Sequence, residues 1–120
     1  MIVTVNKKNF RVIARNPVPL QMAGMVQVTK IQNYYYLTVS TDINFNQNAA
    51  TILRAKSLAD FGKGNYENLN ALFGSDGAPY YIESFDGAYF ATVLRVKSKP
   101  CIYKFEVVND IVTNVQEICR

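Results

Sequence analysis

Apolar and β-branched residues alternate with polar residues at both ends of the chain, and this two-residue period predicts strands. The N-terminal strands are predicted at Met1–Val5, Phe10–Ala14, Met25–Lys30 and Tyr34–Thr41. The C-terminal strands are predicted at Pro79–Phe85, Ala88–Ser98, Cys101–Val108 and Ile111–Ile118. The short breaks at 31–33, Asp86-Gly87 and Asn109-Asp110 have turn residues and predict three antiparallel hairpins.

The middle of the chain has a different pattern, which predicts helices. Ala49–Phe61 is rich in helix formers, with Asn48 as its cap and Gly62 as its stop. In Tyr66–Phe73 the apolar residues follow the 3–4 spacing of one buried helix face, between Asn65 and Gly74. The order strands, helices, strands predicts an α+β, mainly antiparallel β fold. We expect one domain over residues 1–120: a small sheet or barrel with one or two short helices between residues 48 and 74.

The sequence also bears on where in the cell the protein is found. No apolar run approaches the ~20 residues that span a bilayer. At the start of the chain the apolar residues precede Lys7-Lys8, which is the reverse of the order in a secretory signal. We therefore expect an intracellular protein, either cytoplasmic or assembled into a virus particle, with no membrane partner.

Cys101 and Cys119 are the only cysteines, too few for a disulfide framework. We therefore predict buried free thiols, with pairing as the alternative if their strands are neighbours.

Catalytic chemistry finds little support in the residues. The chain has no histidine, which removes the usual general base and the commonest metal ligand. Two cysteines cannot complete a zinc site, and the aspartates are too scattered for a calcium loop. Glu83 and Asp86 form a close carboxylate pair, but turn formation explains Asp86 better than acid–base work. We predict a protein that is not an enzyme, with no cofactor and no bound metal.

Charge is distributed unevenly along the chain. Residues 1–41 carry five basic side chains and no acid, residues 42–90 have a net charge of −3, and residues 91–120 of +2. Such segregation is typical of a patch that attracts phosphate, anionic lipid or an acidic protein, although solvated strand faces produce it too.

Two features indicate where a binding surface could lie. If Tyr35, Leu37 and Val39 face the core, then Tyr34 and Tyr36 point the other way and form a flat platform for a protein or for stacked bases. If both sheet faces are covered, all three tyrosines belong to the core. The second feature is basic: Arg95, Lys97 and Lys99 share one strand face, and Arg11 and Arg15 show a similar same-face spacing around Ile13. A row of this kind binds nucleic acid or prevents edge-to-edge aggregation.

Three functions fit these observations. The first is a non-enzymatic structural or assembly protein that acts through protein contacts or self-association, for example a capsid-decorating, head–tail joining or tail subunit of a virus or phage. The second is an OB-like domain that binds single-stranded nucleic acid. The third is a small inhibitor of a host enzyme. The candidate residues for either kind of contact are Tyr34, Tyr36, Arg95, Lys97, Lys99, Arg11 and Arg15.

Overall fold

The computed structural model of the chain describes residues 1–17, 27–40, 50–73, 77–95 and 101–119. Its strands are β1 Ile2–Val5, β2 Val12–Asn16, β3 Gln27–Ile31, β4 Tyr34–Ser40, β5 Ala50–Ala55, β6 Glu67–Asn68, β7 Gly77–Phe85, β8 Ala88–Arg95, β9 Cys101–Val108 and β10 Ile111–Cys119. Helix α1 spans Leu58–Lys63, and a 3₁₀ turn spans Asn70–Phe73. No helix in these described residues is long and apolar enough to cross a membrane.

All strand pairs are antiparallel, as the sequence predicts. The strands form two four-stranded sheets, in the orders β3-β4-β5-β6 and β10-β9-β8-β7, and a separate β1-β2 hairpin. The three predicted hairpins β3-β4, β7-β8 and β9-β10 are confirmed, with their turns at the predicted breaks. Among the described residues neither sheet closes into a barrel. Of the two predicted alternatives, sheet or barrel, the structure therefore has separate open sheets.

The main core lies between the two sheets. Phe73 packs edge-on against both Tyr103 and Phe105, and Tyr89 stacks on Phe105. Alternate residues of β9 are fully buried, as expected for one face of a strand that covers a core. The buried members of this core are Ile31, Tyr36, Ile52, Leu69, Phe73, Ile82, Ala91, Cys101, Tyr103, Phe105 and Val107.

The β3–β6 sheet is covered on its second face as well. Leu37, Leu53 and Ala55 point away from the main core and pack with Phe61 of α1. Ile2 of the N-terminal hairpin packs against the same group. This two-sided burial explains why large apolar residues follow one another in β4, because Tyr36 and Leu37 point to opposite faces and both are buried.

The predicted helix over Ala49–Phe61 is wrong in its first half, which forms β5. Ile52 and Leu53 are both buried but face different cores, and only an extended backbone points neighbouring side chains to opposite faces. Tertiary pairing with β4 therefore overrides the helix propensity of these residues. The real helix begins after Ser57, whose Oγ accepts from the Asp60 N–H at 3.2 Å. The predicted cap Asn48 lies outside the described residues.

Helix α1 ends later than predicted, because it continues through Gly62 and stops at Gly64. Gly64 has a left-handed backbone with φ of 81°, the usual role of glycine at a helix C-terminus. Gly62 has a different task. A Cβ at this position would lie 2.7 Å from Cγ of Pro17, so its lack of a side chain lets α1 pack against the end of β2.

The predicted helix over Tyr66–Phe73 is also wrong in its first half. Glu67–Asn68 pairs with β5, and only Asn70–Phe73 coils, as a 3₁₀ turn. The Leu69 N–H donates to the Ile52 carbonyl at 2.9 Å, and the Asn70 Oδ1 accepts from the Ile52 N–H at 2.8 Å. These bonds extend the sheet where the spacing of apolar residues predicted a helical turn. The predicted stop Gly74 lies outside the described residues.

The prediction of free thiols is wrong, because Cys101 and Cys119 form a disulfide. The two residues are register partners on β9 and β10, with Cα atoms 4.3 Å apart. The sequence allowed this pairing only if the strands of the two cysteines were neighbours, and β9 and β10 are neighbours in the structure.

Candidate interaction surfaces

Tyr34 and Tyr36 lie on the same strand but differ in exposure. Tyr36 is 1% exposed and belongs to the core between the sheets, whereas Tyr34 is half-buried at the edge of that core. The exposed two-tyrosine platform is therefore not formed. For Tyr36 the structure has the alternative arrangement, in which both faces of the sheet are covered.

Arg54 of β5 joins these tyrosines to the rest of the fold. Its side chain is 12% exposed, and its guanidinium carbon lies 4.3 Å from the ring centroid of Tyr34. Nη1 donates to the Tyr36 hydroxyl at 3.4 Å and to the Asp110 carbonyl, and Nη2 donates to Glu67 Oε2 at 2.7 Å. Because Glu67 lies in β6 and Asp110 lies in the β9-β10 turn, Arg54 bonds within its own sheet and also connects it to the second sheet.

Burial and hydrogen bonding shift the ionisation of this cluster. Burial raises the pKa of the Tyr36 phenol, so that it stays a neutral hydroxyl next to the cation. Burial acts to lower the pKa of Arg54, but the hydrogen bonds to Tyr36 and Glu67 outweigh it, and the pKa is raised. Arg54 is thus a fixed structural cation whose Nη donors already have protein partners.

The two hairpin turns at this end of the sandwich hold each other. The Asn33 side-chain and backbone N–H groups donate to the Asp110 carboxylate at 2.9 and 3.0 Å, which lowers the pKa of Asp110. Gln32 Oε1 accepts from the Asp110 N–H, and Gln32 Nε2 donates to the Val107 carbonyl. At the other end, the Gln27 amide bonds to both the N–H and the C=O of Ile82 on β7.

A cleft of about 450 Å³ lies beside Arg54. Its lining mixes both charge signs, because it contains Arg54 and Lys56 as well as Asp60 and Glu67. Since Arg54 is already engaged with Glu67, the cleft has no strong preference for an anion. The residues that line it are Tyr34, Arg54, Ala55, Lys56, Asp60, Gly64, Asn65, Tyr66 and Glu67.

The structure describes only part of the predicted basic row. Arg95 is the last residue of β8, where its backbone pairs with Gly77, and Lys97 and Lys99 lie outside the described residues. Arg11 and Arg15 are exposed, and both belong to the N-terminal hairpin, far along the chain from β8.

The N-terminal hairpin combines exposed apolar side chains with basic ones. A solvent-facing strand side normally has polar residues, but the exposed residues of β1 are the valines Val3 and Val5. Four basic side chains, those of Lys7, Lys8, Arg11 and Arg15, accompany them without an acid in residues 1–17. We call this the hairpin surface; its exposed apolar members are Met1, Val3, Val5, Phe10, Val12 and Ile13.

Phe10 is the most exposed large apolar side chain of the hairpin surface, at 78%. It closes the loop at the hairpin tip, where its N–H donates to the Asn6 carbonyl at 2.7 Å and its φ is 58°. The Asn6 and Asn9 side chains support the loop by accepting from the N–H groups of Lys8 and Arg11. A left-handed backbone disfavours a large L side chain by about 1–2 kcal/mol, so the fold holds a strained aromatic in water.

Phe10 was missed as a site residue because the sequence pattern assigned it to the start of a strand. The signal that could have identified it is the run of turn formers before it, with asparagines at positions 6 and 9. These residues predict a loop, and a phenylalanine at the end of a hairpin loop has no core to enter.

We expect Phe10→Gly to raise the free energy of unfolding by about 0.5–1 kcal/mol, because glycine adopts a positive φ without strain and little buried area is lost. Denaturant titration of the two proteins measures this difference. Phe10→Ala is the control, since alanine loses the ring but keeps a Cβ at the left-handed position. A loss of stability with glycine as large as with alanine would contradict the assignment of strain.

The geometry thus defines an antiparallel β-sandwich with an appended hairpin whose apolar, basic surface faces the solvent. Comparison with known proteins finds no family model, no curated protein and no solved structure that matches the chain.

Proposed function

We propose that this protein is a non-enzymatic assembly protein that self-associates through the hairpin surface. The observation that carries the proposal is Phe10, a strained and exposed aromatic at a hairpin tip. Strain without a role in the core costs stability, and an aromatic anchor that inserts into a partner protein recovers it. The neighbouring valines add apolar area of the kind that marks interaction sites on soluble proteins.

The disulfide bears on where such a protein works. Disulfides are rare in the reducing cytosol and persist in extracellular space and on virus particles. Between the two intracellular alternatives, Cys101–Cys119 therefore favours an assembled particle over a free cytoplasmic protein. A small subunit of a virus or phage particle is the form of the proposal that accommodates both the disulfide and the interaction surface.

Single-stranded nucleic acid is the second candidate partner, because the exposed cations Lys7, Lys8 and Arg11 lie close to Phe10 in the sequence of the hairpin tip. One aromatic with three cations offers a stacking site and phosphate contacts. The burial of Tyr36 removes the exposed tyrosine pair, one of the features that favoured an OB-like domain. A mobility shift at low salt that disappears with Phe10→Gly would favour nucleic acid over protein.

Sedimentation velocity of the purified chain tests self-association. We expect the weight-average sedimentation coefficient to rise from micromolar to submillimolar concentration, and Phe10→Gly to weaken the association by about tenfold or more, as for an aromatic hot spot. Ile111→Ser is the matched control, since Ile111 is 65% exposed but lies in the β9-β10 hairpin. A wild-type protein that stays monomeric throughout, or equal losses in both variants, would contradict the proposal.

A further inference from the structure

A second exposed aromatic lies at the tip of the β7-β8 hairpin, and the charged residues next to it in the sequence are acidic. Phe85 is 72% exposed, and Glu83 and Asp86 beside it are exposed as well. Asp86 and Gly87 form the two-residue turn, both with left-handed backbones of φ 51° and 79°. Between positions 81 and 88 the chain has two acids and no base. We call Glu83, Phe85 and Asp86 the acidic tip.

The acidic tip and the hairpin surface have charges of opposite sign. Each presents one exposed phenylalanine, and the charged residues close to it in the sequence have one sign, basic around Phe10 and acidic around Phe85. A contact between two copies of the hairpin surface would place cations against cations, because that surface has no acid. A contact between the hairpin surface and the acidic tip pairs opposite charges around two apolar anchors.

We propose that copies of this chain associate head to tail, with the hairpin surface of one copy on the acidic tip of the next. The inference rests on the proposed self-association and adds its partner surface. A single contact of this kind joins two different surfaces, so repetition of it with further copies builds a ring or a filament, whereas two copies that make both contacts at once form a dimer. Each added copy again presents one free hairpin surface or one free acidic tip.

Two charge variants test the pairing. The first, Lys7→Glu with Lys8→Glu, makes the hairpin tip acidic. The second, Glu83→Lys with Asp86→Asn, makes the other tip basic while asparagine preserves the left-handed turn. We expect each variant alone to lose association about tenfold or more, since like charges then meet, and an equimolar mixture of the two to recover it. Lys56→Glu, an exposed cation outside both surfaces, is the charge control and should associate like the wild type.

The outcomes separate the inference from the proposed function. If the wild type associates and the Glu83/Asp86 variant associates equally well, the acidic tip is not the partner, and self-association stands without it. If the mixture fails to recover association although both variants retain their cooperative unfolding, the head-to-tail contact is also wrong. A wild type that remains monomeric overturns both. Should a double variant unfold, the single changes Lys8→Glu and Glu83→Lys, alone and mixed, decide the same question.

Discussion

Replacing Tyr36 by alanine should lower the free energy of unfolding by about 3–5 kcal/mol, the range for a large buried side chain. The ring is 1% exposed between the two sheets, so its removal leaves a cavity that packed neighbours fill only in part. The hydroxyl also accepts from Arg54, which loses one of its hydrogen bonds. Urea titration followed by tyrosine fluorescence or far-UV circular dichroism measures the loss.

Two matched variants separate the contributions at this position. Tyr36→Phe keeps the packing and removes only the contact with Arg54, so we expect a loss of about 1 kcal/mol. Tyr34→Ala removes a half-buried ring and its cation–π contact, with an expected cost of about 1–2 kcal/mol. If Tyr36→Ala were no more destabilising than Tyr34→Ala, Tyr36 could not occupy the core.

The second large effect concerns the disulfide. Cys101 and Cys119 are 18 residues apart, and a cross-link over a loop of this length stabilises a fold by about 3 kcal/mol through the entropy of the unfolded chain. We expect reduction with a phosphine to lower the midpoint of urea unfolding correspondingly, and re-oxidation to restore it. The double variant Cys101→Ala with Cys119→Ala should match the reduced wild type and should not respond to the phosphine.

Thiol titration under denaturing conditions provides the check on the disulfide prediction. The structure requires that unreduced protein has no titratable thiol and that reduced protein has two. Two thiols in freshly purified, unreduced protein would contradict the pairing and would return the cysteines to the free thiols that composition predicted.

The strands could be predicted from sequence because their signals are local. The turns at Asp86-Gly87 and Asn109-Asp110 combine residues that favour positive φ with alternating flanks, and both hairpins form there. The prediction of a helix over the segment Ala50–Ala55 was wrong for the opposite reason, because its structure depends on residues far along the chain. Its residues favour a helix in isolation, and only the distant partners of Ile52 and Leu53, on two different faces, make it a strand.

The candidate site was less predictable, because exposure depends on what covers each face. Nothing local to Tyr34-Tyr35-Tyr36 reveals that a second sheet lies on one side of β4 and α1 on the other. The cysteine pairing likewise depends on the register of β9 against β10, which turn and strand patterns do not fix to the residue. Arg11 and Arg15 were identified by charge, but the apolar surface around them depends on the exposure of Val3, Val5 and Val12, which is a property of the folded hairpin.

Amide hydrogen exchange at low and high protein concentration tests self-association through the hairpin surface, because it reports which segment becomes covered when copies meet. We expect peptides from residues 1–17 to exchange several-fold more slowly in concentrated protein, while peptides from the β9-β10 hairpin exchange alike in both samples. Equal exchange over residues 1–17 at the two concentrations, in protein that has associated, would contradict the hairpin surface as the site of contact.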